Sequence, residues 1–141
     1  MLFFEIRQAI DASPDRVWAN LVDAGKIVEG GLGVTRIEGR IGPGEQIKLW
    51  TEAAPGRAFA LRVSVWQPSR RMVWEGGMPL GLFRGVRQFN LSEAGAGTLF
   101  HMREEYSGPL AGLIGKSLPD LNPSFAAFAS GLQRLSERTQ A

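Results

Sequence analysis

The sequence contains no cysteine, one histidine and one tyrosine. Without cysteine there is no disulfide, no thiolate metal site and no cysteine nucleophile, a composition that suits a reducing cytoplasm. With a single histidine as well, the usual ligand sets for zinc or iron cannot be assembled, and no metal or other cofactor is implied. No stretch approaches the about 20 apolar residues of a membrane span. Met1-Leu2-Phe3-Phe4 runs at once into Glu5 and Arg7, unlike a signal peptide. The chain also lacks a strong excess of one charge: 16 Lys and Arg stand against 14 Asp and Glu. The cations are scattered, the densest spots being Arg70-Arg71 and Arg84 with Arg87. A nucleic-acid binder concentrates a basic stripe with interleaved aromatics, so no nucleic-acid partner is expected. Repeats, low-complexity segments and linkers are missing too, and the 141 residues read as one domain, 1–141.

What is present is a sound apolar fraction, 44%, arranged first with strand and then with helix periodicity. Leu2 to Ile10 reads as a strand. Ser13-Pro14-Asp15 then opens a helix, with Ser as N-cap and Pro at the first position, and Val17, Trp18, Leu21 and Val22 form its apolar face as far as Ala24-Gly25. Lys26 to Gly33 fits a short second helix or a loop. Strands follow at Val34–Gly39, Gln46–Thr51, Ala58–Gln67, Met72–Gly76, Phe83–Leu91 and Thr98–Tyr106, punctuated by Gly42-Pro43-Gly44, Ala54-Pro55-Gly56, Pro68-Ser69-Arg70 and Ala94-Gly95-Ala96-Gly97. In the fourth strand Phe59, Leu61, Val63 and Val65 fall on one face. Gly108-Pro109 ends the sheet. Leu110 to Leu118 is apolar but glycine-containing, Pro119 breaks it, and Asn122-Pro123 starts a firm helix as N-cap and first-turn proline. That helix carries Leu121, Phe125, Phe128, Ala129, Leu132 and Leu135 at helical spacing over 121–137. The expected fold is therefore α+β: an antiparallel sheet curved around a long C-terminal helix, with one or two short helices after the first strand.

This order resembles the START-like or helix-grip superfamily (SRPBCC), which includes polyketide cyclase/dehydrase-like proteins, the pollen-allergen family and coenzyme-Q-binding proteins. Three stretches carry the likeness: Ile10-Asp11-Ala12-Ser13-Pro14-Asp15-Arg16-Val17-Trp18, Met72-Val73-Trp74-Glu75-Gly76-Gly77, and Phe100-His101-Met102-Arg103-Glu104-Glu105-Tyr106-Ser107-Gly108. The chain departs from many relatives after the first helix, where Asp23 to Gly31 replaces a Trp-Pro-rich segment that helps form one end of the cavity. The resemblance implies a ligand cavity between sheet and terminal helix, and fold alone does not fix its use.

Among polar residues Glu104 stands out. Alternation places it with Phe100, Met102 and Tyr106 on the face toward the helix, where a carboxylate needs a partner. Arg87, on the same face as Phe83, Phe89 and Leu91 of the preceding strand, is that partner. The pair reads either as a ligand anchor or acid/base group in an apolar cavity, or as a structural ion pair. Tyr106 could donate to a ligand oxygen, or simply plug the strand end. His101 points outward, away from any nucleophile, which argues against a Ser-His triad. Gly31-Leu32-Gly33 lacks the strand–helix context of a dinucleotide fingerprint. Gly76 to Gly81 is expected at the cavity rim and Leu110 to Leu118 over the same opening. Trp50 and Trp66, opposite the aliphatic positions, could form an exposed patch for self-association into a homodimer.

The expected function is binding of a small, largely apolar or aromatic ligand. Phe59, Leu61, Trp74, Phe89, Phe100 and Met102, with Phe125 and Phe128, would line the site, and Arg87, Glu104 and Tyr106 would anchor it. The alternatives are a cyclase or dehydratase acting on a polyketide-like substrate, with Glu104 as base and Tyr106 or Arg87 stabilising an oxyanion, and a partner-binding module like START-like chaperone cofactors.

Overall fold

A computed structural model describes residues 2–117 and 120–138 of the chain, so the expected break at Pro119 lies outside the described residues. Seven strands form one antiparallel sheet: β1 (Leu2–Ile10), β2 (Val34–Glu38), β3 (Gln46–Thr51), β4 (Ala54–Gln67), β5 (Arg71–Gly77), β6 (Arg84–Ala94) and β7 (Gly97–Ser107). Their spatial order is β1-β7-β6-β5-β4-β3-β2, so the first strand joins the last by pairing with β7. Helices α1 (Pro14–Leu21) and α2 (Ala24–Glu29) link β1 to β2, and α3 (Ala111–Ser117) and α4 (Asn122–Arg138) follow β7. The sheet curls around α4, which is the helix-grip arrangement.

Local chemistry accounts for these elements. Ser13 is extended and its hydroxyl accepts from the Arg16 N–H, while Pro14 occupies the first turn of α1. The helix stops at Leu21, three residues before the expected end. Asp23 restarts the chain as the N-cap of α2, its carboxylate accepting from the Lys26 N–H. The ambiguous segment thus resolves as a short helix followed by a Gly-rich turn. At the start of α4 Asn122 is already helical, and Asp120 Oδ1 takes the capping role by accepting from the Asn122 N–H at 3.0 Å. Gly131 lets α4 approach the segment after α2, since a Cβ there would lie 2.7 Å from Leu32 Cδ1.

Two readings of β4 need correction. The strand begins at Ala54, so the turn is tighter than Ala54-Pro55-Gly56, and the proline sits at an irregular strand start where the β3–β4 register shifts. A second shift, between Val63 and Val65 against β5, inverts the faces beyond it. Val65 therefore does not share a face with Val63. Trp66 turns inward and meets Trp18 of α1 edge-on, ring centroids 5.1 Å apart. Trp50 stays on the other face beneath the Arg36 guanidinium, 5.0 Å from the ring centroid. The two indoles do not form one exposed patch.

The concave face packs against α4. Phe89, Phe100 and Phe128 contact one another at centroid distances of 5.8 to 6.5 Å, and Trp74 meets Phe89 edge-on at 4.6 Å. Buried polar ties fix the helices onto this core: Asn20 Nδ2 donates to Ser136 Oγ at 3.2 Å, and Thr98 Oγ1 donates to the Ala12 carbonyl at 2.7 Å.

Candidate functional site

Register builds the site. Val63, Trp74, Arg87, Glu104 and Phe4 lie side by side across β4, β5, β6, β7 and β1 on the concave face. One step toward the open end, Gly76, Gly85, Tyr106 and Leu2 form the next row. One step the other way come Met72, Phe89, Met102 and Ile6. A polar row therefore separates an aromatic interior from a row whose middle carries two glycines.

Arg87 and Glu104 pair as their register demands. Arg87 Nε donates to Glu104 Oε2 at 2.6 Å, and one terminal guanidinium nitrogen lies 2.5 Å from the same oxygen. The guanidinium also lies over the Phe125 ring, 4.9 Å from its centroid. The pair keeps partial access to solvent, with 21% of the arginine side chain and 15% of the glutamate exposed. Phe4 bridges Phe125 and Tyr106, at 5.9 and 6.3 Å. Phe83 stacks on Tyr106 at 5.5 Å. The charges thus sit in an aromatic frame rather than on a polar surface, which strengthens their attraction and raises the penalty for breaking it.

The glycine row gives this frame its floor. A Cβ at Gly85 would lie 3.4 Å from both Glu104 Oε1 and the Tyr106 ring, and one at Gly76 would lie 2.7 Å from Leu61 Cδ2. Tyr106 and Leu61 lean into the space that side chains at these two positions would occupy. Tyr106 also lines a cleft of about 300 Å³ with Leu2, Ser107, Gly108, Ala111 and Gly112. It therefore stands between that cleft, roofed by α3, and the ion pair. A larger hollow, about 690 Å³, lies at the opposite end of the sheet among Ser13, Asp15, Ser69, Arg70 and Glu93. None of the aromatic or ion-pair residues reaches it, and its Ser69 hydroxyl is already bonded to Asp15 at 2.6 Å.

Burial pushes the Tyr106 phenol well above its ordinary range, and the neighbouring Glu104 carboxylate adds to this against the opposing effect of Arg87. A raised folded value favours the native state below about pH 10, where the unfolded phenol remains protonated. Stability is then expected to fall as pH rises past about 10, because the unfolded chain releases this proton first. Tyr106→Phe should remove that component. Since this is the only tyrosine, ultraviolet titration reads it directly, and a native phenolate forming near pH 10 would contradict the assignment.

The structure distributes the residues singled out from sequence unequally. Arg87, Glu104, Tyr106 and Phe125 come together. Phe59 and Leu61 are half-buried toward the open end. Trp74 is buried beside Arg87. Phe89, Phe100, Met102 and Phe128 are buried deeper, filling the space between sheet and helix with one another rather than facing an opening. Phe4, Gly85 and the Phe83–Tyr106 stack were missed as site elements; the strand alternation of β1 and β6 was the available signal for the first two. His101 lies on the outer face as expected, 3.5 Å from Glu5 and 3.3 Å from Asn90. Glu5, Arg103 and Glu105 form an ion-pair chain on that face, well away from the frame.

The rim is apolar. Met78, Leu80 and Leu82 between β5 and β6, and Leu113 on α3, are exposed, Leu80 at 97% with a positive φ of 62°. The Leu110 N–H donates to the Leu82 carbonyl at 2.9 Å, joining this loop to the start of α3. Among the described residues no three acidic, histidine or cysteine side chains gather as metal ligands, and no helix is long and apolar enough to cross a membrane.

Comparison with known proteins agrees with this arrangement. Residues 1–139 match the family model described as polyketide cyclase / dehydrase and lipid transport. No functionally curated protein matches the sequence. Protein MLL2253 from Mesorhizobium loti superposes with a TM-score of 0.75 at 16% identity, over 98% of each chain. The Aha1 dimer from Colwellia psychrerythraea gives 0.74 at 19%, over the full length of both. The di-domain ARO/CYC StfQ from the steffimycin biosynthetic pathway gives 0.67 at 17%, over 96% of this chain and 50% of that one. At these identities the likeness concerns the fold.

Proposed function

Because the chain belongs to the polyketide cyclase / dehydrase and lipid transport family, we propose that it binds a small, largely apolar molecule at the open end of the grip. Arg87, Glu104 and Tyr106 are the polar anchors, and Leu61, Phe59, Phe4 and Phe125 flank the apolar body above Gly76 and Gly85. The observation that carries this reading is a charged pair held inside an aromatic frame yet partly accessible. Ligand sites commonly combine an apolar wall with a few converging polar groups. The cleft beneath α3 and the exposed apolar rim supply the approach.

Binding is favoured over catalysis by the state of Glu104. One of its oxygens accepts from Arg87 Nε and lies against a second guanidinium nitrogen, so the carboxylate is anchored in an ion pair rather than standing alone beside a reacting group. The aromatic frame of Phe4, Phe83, Tyr106 and Phe125 around the pair makes planar aromatic molecules the class to try first. 2-Acetylnaphthalene is a suitable probe. Glu104→Ala, by releasing the Arg87 guanidinium that would donate to the ketone, is expected to weaken its binding by about tenfold or more, equivalent to about 1.4 kcal/mol, and to destabilise the fold by less than that. Calorimetric titration beside denaturant unfolding measures both. Unchanged affinity with a loss of stability alone would make the pair structural.

A further inference from the structure

We infer that Trp74 donates a hydrogen bond to the bound molecule, and hence that the ligand carries a carbonyl oxygen on its apolar body. This rests on the binding reading above. Trp74 is 1% exposed, and its Nε1 has no hydrogen-bond partner among the described residues. An indole N–H usually finds a partner when buried, because an unmatched donor forfeits its water without compensation. Phenylalanine would pack the same wall against Phe89 and Val63 without that penalty.

The neighbours across the strands explain why the protein does not satisfy this donor itself. Val63, on β4, is apolar, and Arg87, on β6, can only donate. The acceptor on this row is Glu104, one strand further away, whose Oε2 already takes both Arg87 contacts. The row thus offers an indole N–H and a guanidinium in sequence, while its one carboxylate is paired with Arg87 through Oε2 and has Oε1 beside Gly85, one strand away from Trp74. A neutral sp² oxygen placed between Trp74 and Arg87 answers both donors, whereas an alkyl or vinyl group answers neither. The other buried nitrogen without a hydrogen bond, His101 Nε2, lies on the outer face 3.5 Å from the Glu5 carboxylate and has a charged neighbour to account for it.

Two probes of nearly equal shape isolate the contact: 2-acetylnaphthalene and 2-isopropenylnaphthalene, in which a methylene replaces the carbonyl oxygen. Wild type is expected to bind the ketone about tenfold more tightly, and Trp74→Phe to lose most of that preference, keeping only the part that Arg87 supplies. The Trp74 indole proton resonance of the wild type should move downfield with the ketone and not with the alkene, a readout that needs no variant. Equal wild-type affinities, an indole proton unmoved by bound ketone, or a preference undiminished in Trp74→Phe would overturn the inference and leave the binding site standing. Failure of both probes to bind wild type would overturn the proposed function and the inference with it.

Discussion

Phe100→Ala is expected to lower the stability of this protein by about 3–5 kcal/mol, a large share of the about 5–15 kcal/mol that holds a typical domain together. Phe100 is fully buried, with Phe89 on one side and Phe128 of α4 on the other. Its removal opens a hole at the seam between sheet and terminal helix. These neighbours are rings fixed by backbone register, so they close it only in part. Denaturant unfolding should show a lower midpoint with an unchanged slope. A loss below about 1 kcal/mol would mean that the interior around Phe100 is a roomy cavity rather than a packed core. The sequence-based assignment of Phe100 to a ligand wall favours the cavity; the ring contacts favour the core.

Arg87→Met should be costly for a different reason. It preserves much of the apolar stem against Phe125 and removes the charge, leaving the Glu104 carboxylate inside an aromatic frame. Breaking a buried pair typically costs about 3–5 kcal/mol, and the residual exposure of this one reduces the expectation to about 2–3 kcal/mol. Glu104→Ala should cost less, because Arg87 retains its stacking on Phe125 and the longer side chain can reach water. The double variant Arg87→Met, Glu104→Leu should recover most of the loss, since no charge remains unpaired. Additive losses in this cycle would show that the two side chains do not act as a pair.

The sequence made the architecture legible because its signals were local and repeated. Alternation from Thr98 to Tyr106 identified the inward face of β7, and with it the positions of Glu104 and Tyr106. The hairpin at Ala94–Gly97 then fixed Arg87 opposite Glu104, as the register shows. Ser13-Pro14 announced α1 because capping depends only on neighbouring residues. Features that depend on a partner strand stayed hidden. A one-residue shift opposite Val63 and Val65 carries no composition signal, yet it turns Trp66 from the outer face to the core. The depth of Phe89, Phe100, Met102 and Phe128 was equally illegible, because periodicity says which face a residue takes and not whether that face meets a helix or an opening. The glycine floor was hidden for the same reason: Gly76 and Gly85 become one feature only when β5 and β6 pair.

The central claim is that a small apolar molecule is held at the open end of the grip, against Arg87, Glu104 and Tyr106. Heteronuclear NMR titration with 2-acetylnaphthalene tests it most directly, by mapping shift changes onto the chain. The expected result is saturable perturbation concentrated at Leu61, Gly76, Gly85, Arg87, Glu104 and Tyr106, with the outer-face residues Glu5, His101 and Arg103 unmoved. Perturbation centred on the hollow near Ser13 and Ser69, or none at saturating probe, would contradict it.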